Sequence, residues 1–302
     1  KPKRKKPLWR RILRWLLIAL AIFLIYITAL LVYLLVSINR IDAMPADQIR
    51  NTPGAVTLLV GSDARSNDPS QGSRTDTIML MVDPLFGRPT LVSVPRDSWV
   101  DIPGQGMGKI NSAFAIGGPS LLIETIEQNT GMHVDHYVEI GFEGIVWLTD
   151  AVGGVELCID YDVNDELSGL VMEAGCSVLE GQQALAFCRM RYSDPNGDLG
   201  RIERQQQWIE SWVTTVLQPR NLLNPFTMVE VMDAAAMALT VDQDTGPFNL
   251  GRMAWGMVQI ARGNGDLTTV PVADPAYYVS GQSAVLWDDG AAAELFQSLG
   301  AR

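Results

Sequence analysis

The chain opens with one long apolar run and then breaks into short ones. Residues 15–39 carry no charge, which exceeds the roughly 20 residues that cross a bilayer as a helix. Further on, residues 55–60, 77–82 and 90–94 are apolar runs of strand length. A polar loop and a turn between Pro84 and Pro89 separate them, and Pro95-Arg96-Asp97 stops the third. Residues 120–129 have helical spacing with Gly131 as a C-terminal cap. The pattern then predicts a strand at 136–140, a helix at 142–151 and a strand at 155–159. Residues 181–186 read as a short helix feeding an extended segment from Phe187 to Arg191. Asp198 suits an N-cap after Pro195-Asn196-Gly197, and Leu199, Ile202, Ile209, Val213 and Val216 form the apolar stripe of a helix over 198–217. Two apolar helices at 225–239 and 250–261, a strand at 267–272 and a helix at 290–299 complete the chain. Strands alternating with helices predict an α/β layered domain.

Charge divides the chain sharply. Lys1, Lys3, Arg4, Lys5, Lys6, Arg10, Arg11 and Arg14 precede the long apolar run with no acid among them, and removing these eight from the formal net charge of −11 leaves −19 for the remainder. By the positive-inside rule this puts the N-terminus in the cytoplasm and the bulk outside. The expected organisation is a basic segment at 1–14, a transmembrane helix at 15–39, a linker at 40–54 containing Pro45, Pro53 and Gly54, and one domain at 55–302. A cleaved signal peptide has a shorter apolar core, roughly 7 to 15 residues, and a basic run abutting a span is a topology signal before it is a nucleic-acid tail. So acidic a domain does not suit nucleic acid, and an anionic ligand would have to be caught by a local cluster of cations.

Three cysteines fall in the outer part. An oxidising compartment permits one disulfide, and Cys158 with Cys176 is favoured because Cys188 lies inside an apolar run. His133 and His136 are the only histidines, which argues against triad-type hydrolysis.

Two clusters carry chemistry. If the first three strands form a meander, one sheet edge collects Asp63, Arg65, Arg74, Asp76, Arg96 and Asp97. Carboxylates among arginines suit a hard divalent cation, Mg²⁺ or Mn²⁺, shared with a phosphate; the alternative is a set of loop ion pairs. If 187–191 is extended, Arg189 and Arg191 share a face, and Arg201, Arg204 and Gln205 fall off the apolar stripe of the next helix. Guanidinium groups beside a helix start make an oxyanion or phosphate site, against the alternative of a solvated helix face.

Taken in order, Asp63-Ala64-Arg65, Arg74-Thr75-Asp76-Thr77, Val94-Pro95-Arg96-Asp97, Lys109-Ile110-Asn111, Gly117-Gly118-Pro119, Gly153-Gly154-Val155, Gly181 with Ala184-Leu185, Arg189-Met190-Arg191 and Asp198 through Arg204-Gln205-Gln206 resemble the LytR-CpsA-Psr family of cell-wall assembly proteins. The resemblance runs from about Val56 to Leu217 and more loosely to Leu299. It implies a three-layer α/β/α domain with a central mixed sheet. It also implies a membrane-anchored phosphotransferase that moves a glycopolymer from a polyprenyl-pyrophosphate carrier onto peptidoglycan through a phosphodiester bond, with no nucleic acid involved. Under that resemblance Asp63 and Asp76 are metal ligands for Mg²⁺ or Mn²⁺. Arg74, Arg96, Arg189, Arg191, Arg201 and Gln205 contact the pyrophosphate, with Lys109 beside them. Arg96, Asp76, Asp97, Arg191 and Arg201 are then the catalytic candidates, and Asn111 and Asp198 also fall in family motifs. The Cys158 and Cys176 pair looks like what actinobacterial members carry. Other functions compatible with the same residues are a non-catalytic regulator that binds the lipid pyrophosphate and a phosphatase acting on it.

Overall fold

The structure is a computed structural model that describes residues 8–49, 53–62, 75–191, 193–195 and 197–301. A 30-residue helix, α1 (Leu8–Ser37), leads into a short strand, β1 (Asn39–Ile41). Next come β2 (Ala55–Ser62), β3 (Thr75–Asp83) and β4 (Thr90–Val94), the hairpin β5 (Trp99–Ile102) and β6 (Gly106–Lys109), and α2 (Ile110–Thr130). The middle of the chain adds β7 (His136–Gly141), α3 (Phe142–Ala151), β8 (Val155–Ile159), β9 (Val163–Asp165), β10 (Leu170–Met172), β11 (Gly175–Leu179) and α4 (Gly181–Arg189). The rest comprises α5 (Gly197–Val216), α6 (Pro219–Leu222), α7 (Pro225–Ala238), β12 (Leu239–Asp242), α8 (Pro247–Ala261), β13 (Asp266–Thr269), the hairpin β14 (Val272–Val279) and β15 (Gln282–Trp287), and α9 (Asp289–Ser298).

Seven strands form one mixed sheet in the order β1-β12-β7-β2-β3-β4-β13. Within it β2, β3 and β4 are the antiparallel meander expected from the apolar runs, while β7 and β13 are added in parallel. Successive strand residues face opposite sides, and here both sides are buried. Leu58, Val60, Leu80, Val82 and Val92 pack with Ile123 and Ile126 of α2 and Phe296 of α9. Leu59, Met79, Met81, Leu91 and Val138 pack with Ile260 and with Leu250, Met253 and Met257 of α8. Helices on both faces explain why the strands read as unbroken apolar runs. They also make the three layers.

Several boundaries depart from the sequence reading. Residues 39–41, expected at the end of the span and the start of a linker, pair with β12 from Asn39 opposite Thr240 to Ile41 opposite Asp242. Arg40 reinforces this by donating to the carbonyls of Asp242, Gln243 and Thr245, so α1 is joined to the sheet without a loose tether. Helix α2 starts at Ile110, ten residues before the expected helix, and kinks at Gly117 and at Gly118, whose φ of 65° is left-handed. The strand expected over 267–272 is cut at Thr269 and restarts as β14 at Val272, because Pro271 has no N–H to continue a ladder.

Two departures touch the candidate site. Residues 187–189 are helical, not extended: Glu180 and Gln183 form a capping box, and Ala184, Phe187 and Cys188 recur at helical spacing and are buried. Helix α5 begins at Gly197, so Asp198 lies in its first turn and is not the N-cap. The disulfide is formed as expected, between Cys158 and Cys176 at opposite positions of β8 and β11. Cys188 is a buried free thiol.

Candidate functional site

Strand register decides what meets at the end of the meander. Ile78 pairs with Val94, so Asp76, two residues before the first, and Arg96, two beyond the second, arrive side by side and form an ion pair. The β5–β6 hairpin then folds back over this end, with Trp99 opposite Lys109. The Ile110 N–H donates to the Ser98 carbonyl at 2.9 Å and the Asn111 N–H to the Arg96 carbonyl at 3.2 Å. Lys109 Nζ consequently sits 3.3 Å from Asp97 Oδ1.

Helix α5 closes the third side. Asp198, Arg201 and Gln205 are three and four residues apart and share one face. Asp198 Oδ1 lies 2.8 Å from Arg201 Nη2, 3.6 Å from Arg96 Nε and 3.7 Å from Arg191 Nε. The same Arg201 nitrogen donates to the Asp76 carbonyl at 3.3 Å. Asp76, Arg96, Asp97, Lys109, Arg191, Asp198 and Arg201 thus form one network at one sheet edge.

Arg204 holds the segment between α4 and α5. Its Nε donates to the Phe187 carbonyl at 2.9 Å, its other nitrogens reach the Met190 carbonyl and the Asp194 carboxylate, and it is itself buried. A side chain at Gly200 would collide with that carboxylate, which is why glycine sits there. The sequence pattern placed Arg204 among the cations off the apolar stripe. Its spacing from Arg201 carried no sign that one faces the site and the other clamps the backbone.

Among the described residues four cations, Arg96, Lys109, Arg191 and Arg201, face the three carboxylates Asp76, Asp97 and Asp198 in an acidic chain. Burial works against the charge on Arg96, but Asp76, Asp198 and Asp97 outweigh it and hold its pKa above the ordinary value. Arg201, 4% exposed, goes the other way. Burial lowers it, and repulsion from Arg96 and Arg191 adds to this against the pull of Asp198 and Asp76. An added anion would relieve that strain.

Buried polar atoms without a hydrogen-bond partner concentrate here. Among the described residues seven of the nine such atoms are Ser62 Oγ, Thr75 Oγ1, Arg96 Nε, both Asp198 carboxylate oxygens, Arg201 Nε and Gln205 Oε1, the other two being His133 Nδ1 and Asp165 Oδ2; the ion pairs around Asp198 do not satisfy its oxygens geometrically. Buried polar groups are normally paired. The two guanidinium nitrogens and the two hydroxyls among the unpaired atoms are donors that a phosphate could take up, while the Asp198 oxygens and Gln205 Oε1 are acceptors.

Not every expected residue joins. Arg189 is the last residue of α4, and its guanidinium lies over the Phe142 ring, 4.9 Å from its centre. The helix parts it from Arg191, correcting the shared face an extended segment would have given. Gln205 is buried beside the network and makes one long bond, 3.5 Å, to the Cys188 carbonyl. Asp63, Arg65 and Arg74 lie outside the described residues. Among the described residues no three metal-ligating side chains gather. Asp76 can offer a hard cation one partly exposed carboxylate, which suits Mg²⁺, an ion that takes few protein ligands and completes its shell with water and phosphate.

A cavity of about 190 Å³ opens at the opposite sheet edge, lined by Thr57, Asp83, His136, Asn249 and Arg252. Its charged residues are already matched, with Arg252 Nε 2.5 Å from Asp83 Oδ2, so the chemistry lies with the arginine cluster.

Fold and site together define a class: an α/β/α domain on an apolar helix, with a cation-rich cluster at one end of its central sheet. Residues 37–298 match the LytR_cpsA_psr family, and the chain belongs to that family. It is 41% identical over 274 residues to the Probable cell wall biosynthesis protein LcpB of Corynebacterium glutamicum, covering 87% of this chain and 65% of that one. It is 42% identical over 169 residues to the Polyisoprenyl-teichoic acid--peptidoglycan teichoic acid transferase TagU of Enterococcus faecalis, covering 55% of each. The chain thus spans about two thirds of the first relative and about half of the second. Among solved structures the fold is similar to a LytR-Csp2A-Psr enzyme from Actinomyces oris, with a TM-score of 0.72 at 21% identity, covering 88% of this chain and 96% of that one. It is also similar to TagT of B. subtilis, with a TM-score of 0.63 at 20% identity, covering 87% and 98%.

Proposed function

We propose that this protein is a membrane-anchored transferase that moves a cell-wall glycopolymer from a polyprenyl-pyrophosphate carrier onto peptidoglycan through a phosphodiester bond. The observation that carries this reading is the convergence of Arg96, Arg191, Arg201 and Lys109 on Asp76, Asp97 and Asp198, with Arg96 Nε and Arg201 Nε buried and without hydrogen-bond partners. The names of the relatives, one a teichoic acid transferase and one a cell wall biosynthesis protein, support the substrate class.

In this reading Arg201 and Arg96 grip the pyrophosphate, and Arg191 and Lys109 add charge at its rim. A hydroxyl of the acceptor sugar attacks the phosphorus that bears the glycopolymer. The bridging P–O bond breaks, polyprenyl monophosphate leaves, and the hydroxyl proton passes to a carboxylate, Asp76 or Asp97. Guanidinium groups held in place by Asp198 stabilise charge on the leaving phosphate, which is the main demand of phosphoryl transfer. Mg²⁺ or Mn²⁺ held by Asp76, with Asp63, would supply further neutralisation.

The anchor in this proposal is α1, which is long and apolar enough to cross a membrane over Trp9–Ser37. The basic head would stay in the cytoplasm and the domain outside; the Cys158–Cys176 disulfide suits that side. Strand directions support a carrier-facing site. β1 runs antiparallel to β2 through the parallel and antiparallel pairings of β12 and β7, so the sheet edge that gathers the arginines is the one where α1 enters.

The test is to incubate the full chain with a polyprenyl-pyrophosphate oligosaccharide, peptidoglycan fragments and Mg²⁺, and follow phosphodiester-linked product by mass spectrometry. Product is expected to vanish with Arg96→Ala, Arg201→Ala and chelator. Lipid binding without product would instead establish the regulator, and free phosphorylated glycan with water as acceptor the phosphatase.

A further inference from the structure

Helices α1 and α7 lie side by side and run the same way. Tyr26 Oη donates to the Pro225 carbonyl at 2.6 Å, Tyr33 Oη donates to the Asp233 carboxylate, and the strands that follow them pair in parallel from Asn39 opposite Thr240. The two segments therefore travel level with one another, and Pro225 sits at the height of Tyr26. That is eleven residues below the end of α1 at Ser37, or about 16 Å at 1.5 Å per residue.

What the chain places at that depth is largely apolar and uncovered, and the exposed Arg220 beside it on α6 has a stem long enough to return its charge to the headgroups. Leu222, Leu223, Phe226 and Val229, at the turn from α6 into α7, are 47%, 75%, 78% and 46% exposed. A patch of this kind marks an interaction surface, and this one is continuous with the exposed apolar face of α1, where Ile22, Phe23 and Leu24 are likewise open. Glu230 sets the upper limit. It is exposed one turn above Phe226 and, being charged, belongs among headgroups, level with residue 30 or 31 of α1. A hydrocarbon core bounded there and about 20 residues deep reaches down to about residue 11, leaving Arg10 and Arg11 at the other headgroup layer and Arg14 about one turn inside it, where its long side chain reaches back to that layer. Phe226 then lies about 6 Å inside the boundary, a depth typical of interfacial helices.

We propose that the α6–α7 turn is a second membrane attachment: Leu222, Leu223, Phe226 and Val229 insert into the outer leaflet beside α1. This rests on α1 crossing the membrane, as in the proposed function, but not on the transferase chemistry. A single helix lets a domain swing. Two contacts fix its height and tilt, and hold the arginine edge facing the surface where a lipid-borne pyrophosphate resides.

The test uses the full chain in phosphatidylcholine–phosphatidylglycerol vesicles, with Leu223→Cys or Phe226→Cys carrying a bimane fluorophore. Cys188 is buried, and its continued lack of labelling reports that each variant is folded. Leu20→Cys within α1 and Phe86→Cys in the exposed β3–β4 turn are the references. Quenching at 223 and 226 by nitroxide-bearing lipid, as at 20, with protection from aqueous iodide, is the expected result. Iodide quenching like that at 86 would overturn the proposal, and so would protection from both quenchers, which means that protein covers the patch. Iodide quenching at position 20 would remove the anchor itself and this proposal with it.

Discussion

Arg201 and Asp198 stand one helical turn apart on α5 with Nη2 and Oδ1 at 2.8 Å, and that carboxylate oxygen also lies 3.6 Å from Arg96 Nε and 3.7 Å from Arg191 Nε. One carboxylate thus restrains three guanidinium groups that would otherwise repel one another.

Asp198→Asn should release that repulsion. Removing one partner from a buried charge network costs roughly 3 kcal/mol, so the variant should unfold at lower temperature. Because the three arginines then seek another anion, inorganic pyrophosphate should raise its melting temperature more than that of the parent. Equal stabilisation of both would show that Asp198 does not compete with the ligand.

Arg204→Lys tests the clamp. A lysine cannot reach the Phe187 and Met190 carbonyls and Asp194 together, so the segment that presents Arg191 should loosen. Stability should fall by about 2–3 kcal/mol, and pyrophosphate should bind more weakly although Arg204 itself faces away from the network. Arg189→Ala, whose guanidinium rests on Phe142, should change stability by less than about 1 kcal/mol and affect pyrophosphate binding less than Arg201→Ala. Urea unfolding and calorimetric titration of the three variants separate the roles.

Asp242 makes stability depend on pH at the acid end. Burial alone would raise its pKa, but hydrogen bonds with His136, Thr245 and the Tyr137 N–H bring it down to about 2. A depressed carboxylate stabilises the fold above its unfolded pKa, about 3.9, and that contribution fades as pH falls towards 2. The difference between parent and Asp242→Asn should be steady above about pH 5 and shrink by roughly 2–3 kcal/mol by pH 2. Urea unfolding at stepped pH measures it; a difference independent of pH would refute the assignment.

The cysteines should behave oppositely. Burial pushes the Cys188 thiol up to about 12, with Arg204 pulling weakly the other way, so maleimide at neutral pH should label it only after unfolding. Cys158 and Cys176 close a loop with a sequence separation of 18, and replacing both with serine should cost about 3 kcal/mol, read from the unfolding midpoint.

Much of this was legible along the chain because it depends on local pattern. The apolar runs that became β2, β3 and β4, the helix α3, the long apolar helix and the cysteine pair are each set by the pattern of near neighbours along the chain. The meander also follows from three strands consecutive along the chain, which is why Asp76, Arg96 and Asp97 could be placed on one edge beforehand. Local pattern misled where both periodicities fit. Residues 187–189 suit strand or helix, and packing of Phe187 and Cys188 chose helix, sending Arg189 away from Arg191.

Only the tertiary structure decided the rest, since it turns on contacts between residues far apart in sequence. Nothing near Asp198 in the chain says that its carboxylate meets Arg96, or that Arg204 spends its donors on backbone carbonyls while Arg201, three residues earlier, faces the site. The pairing of β1 with β12, two hundred residues away by number, brings the apolar helix to the same sheet edge as the arginines. Side-chain types and their spacing determined the elements and the candidate cations; the register between distant strands determined which of them share a site and on which side of the domain it lies.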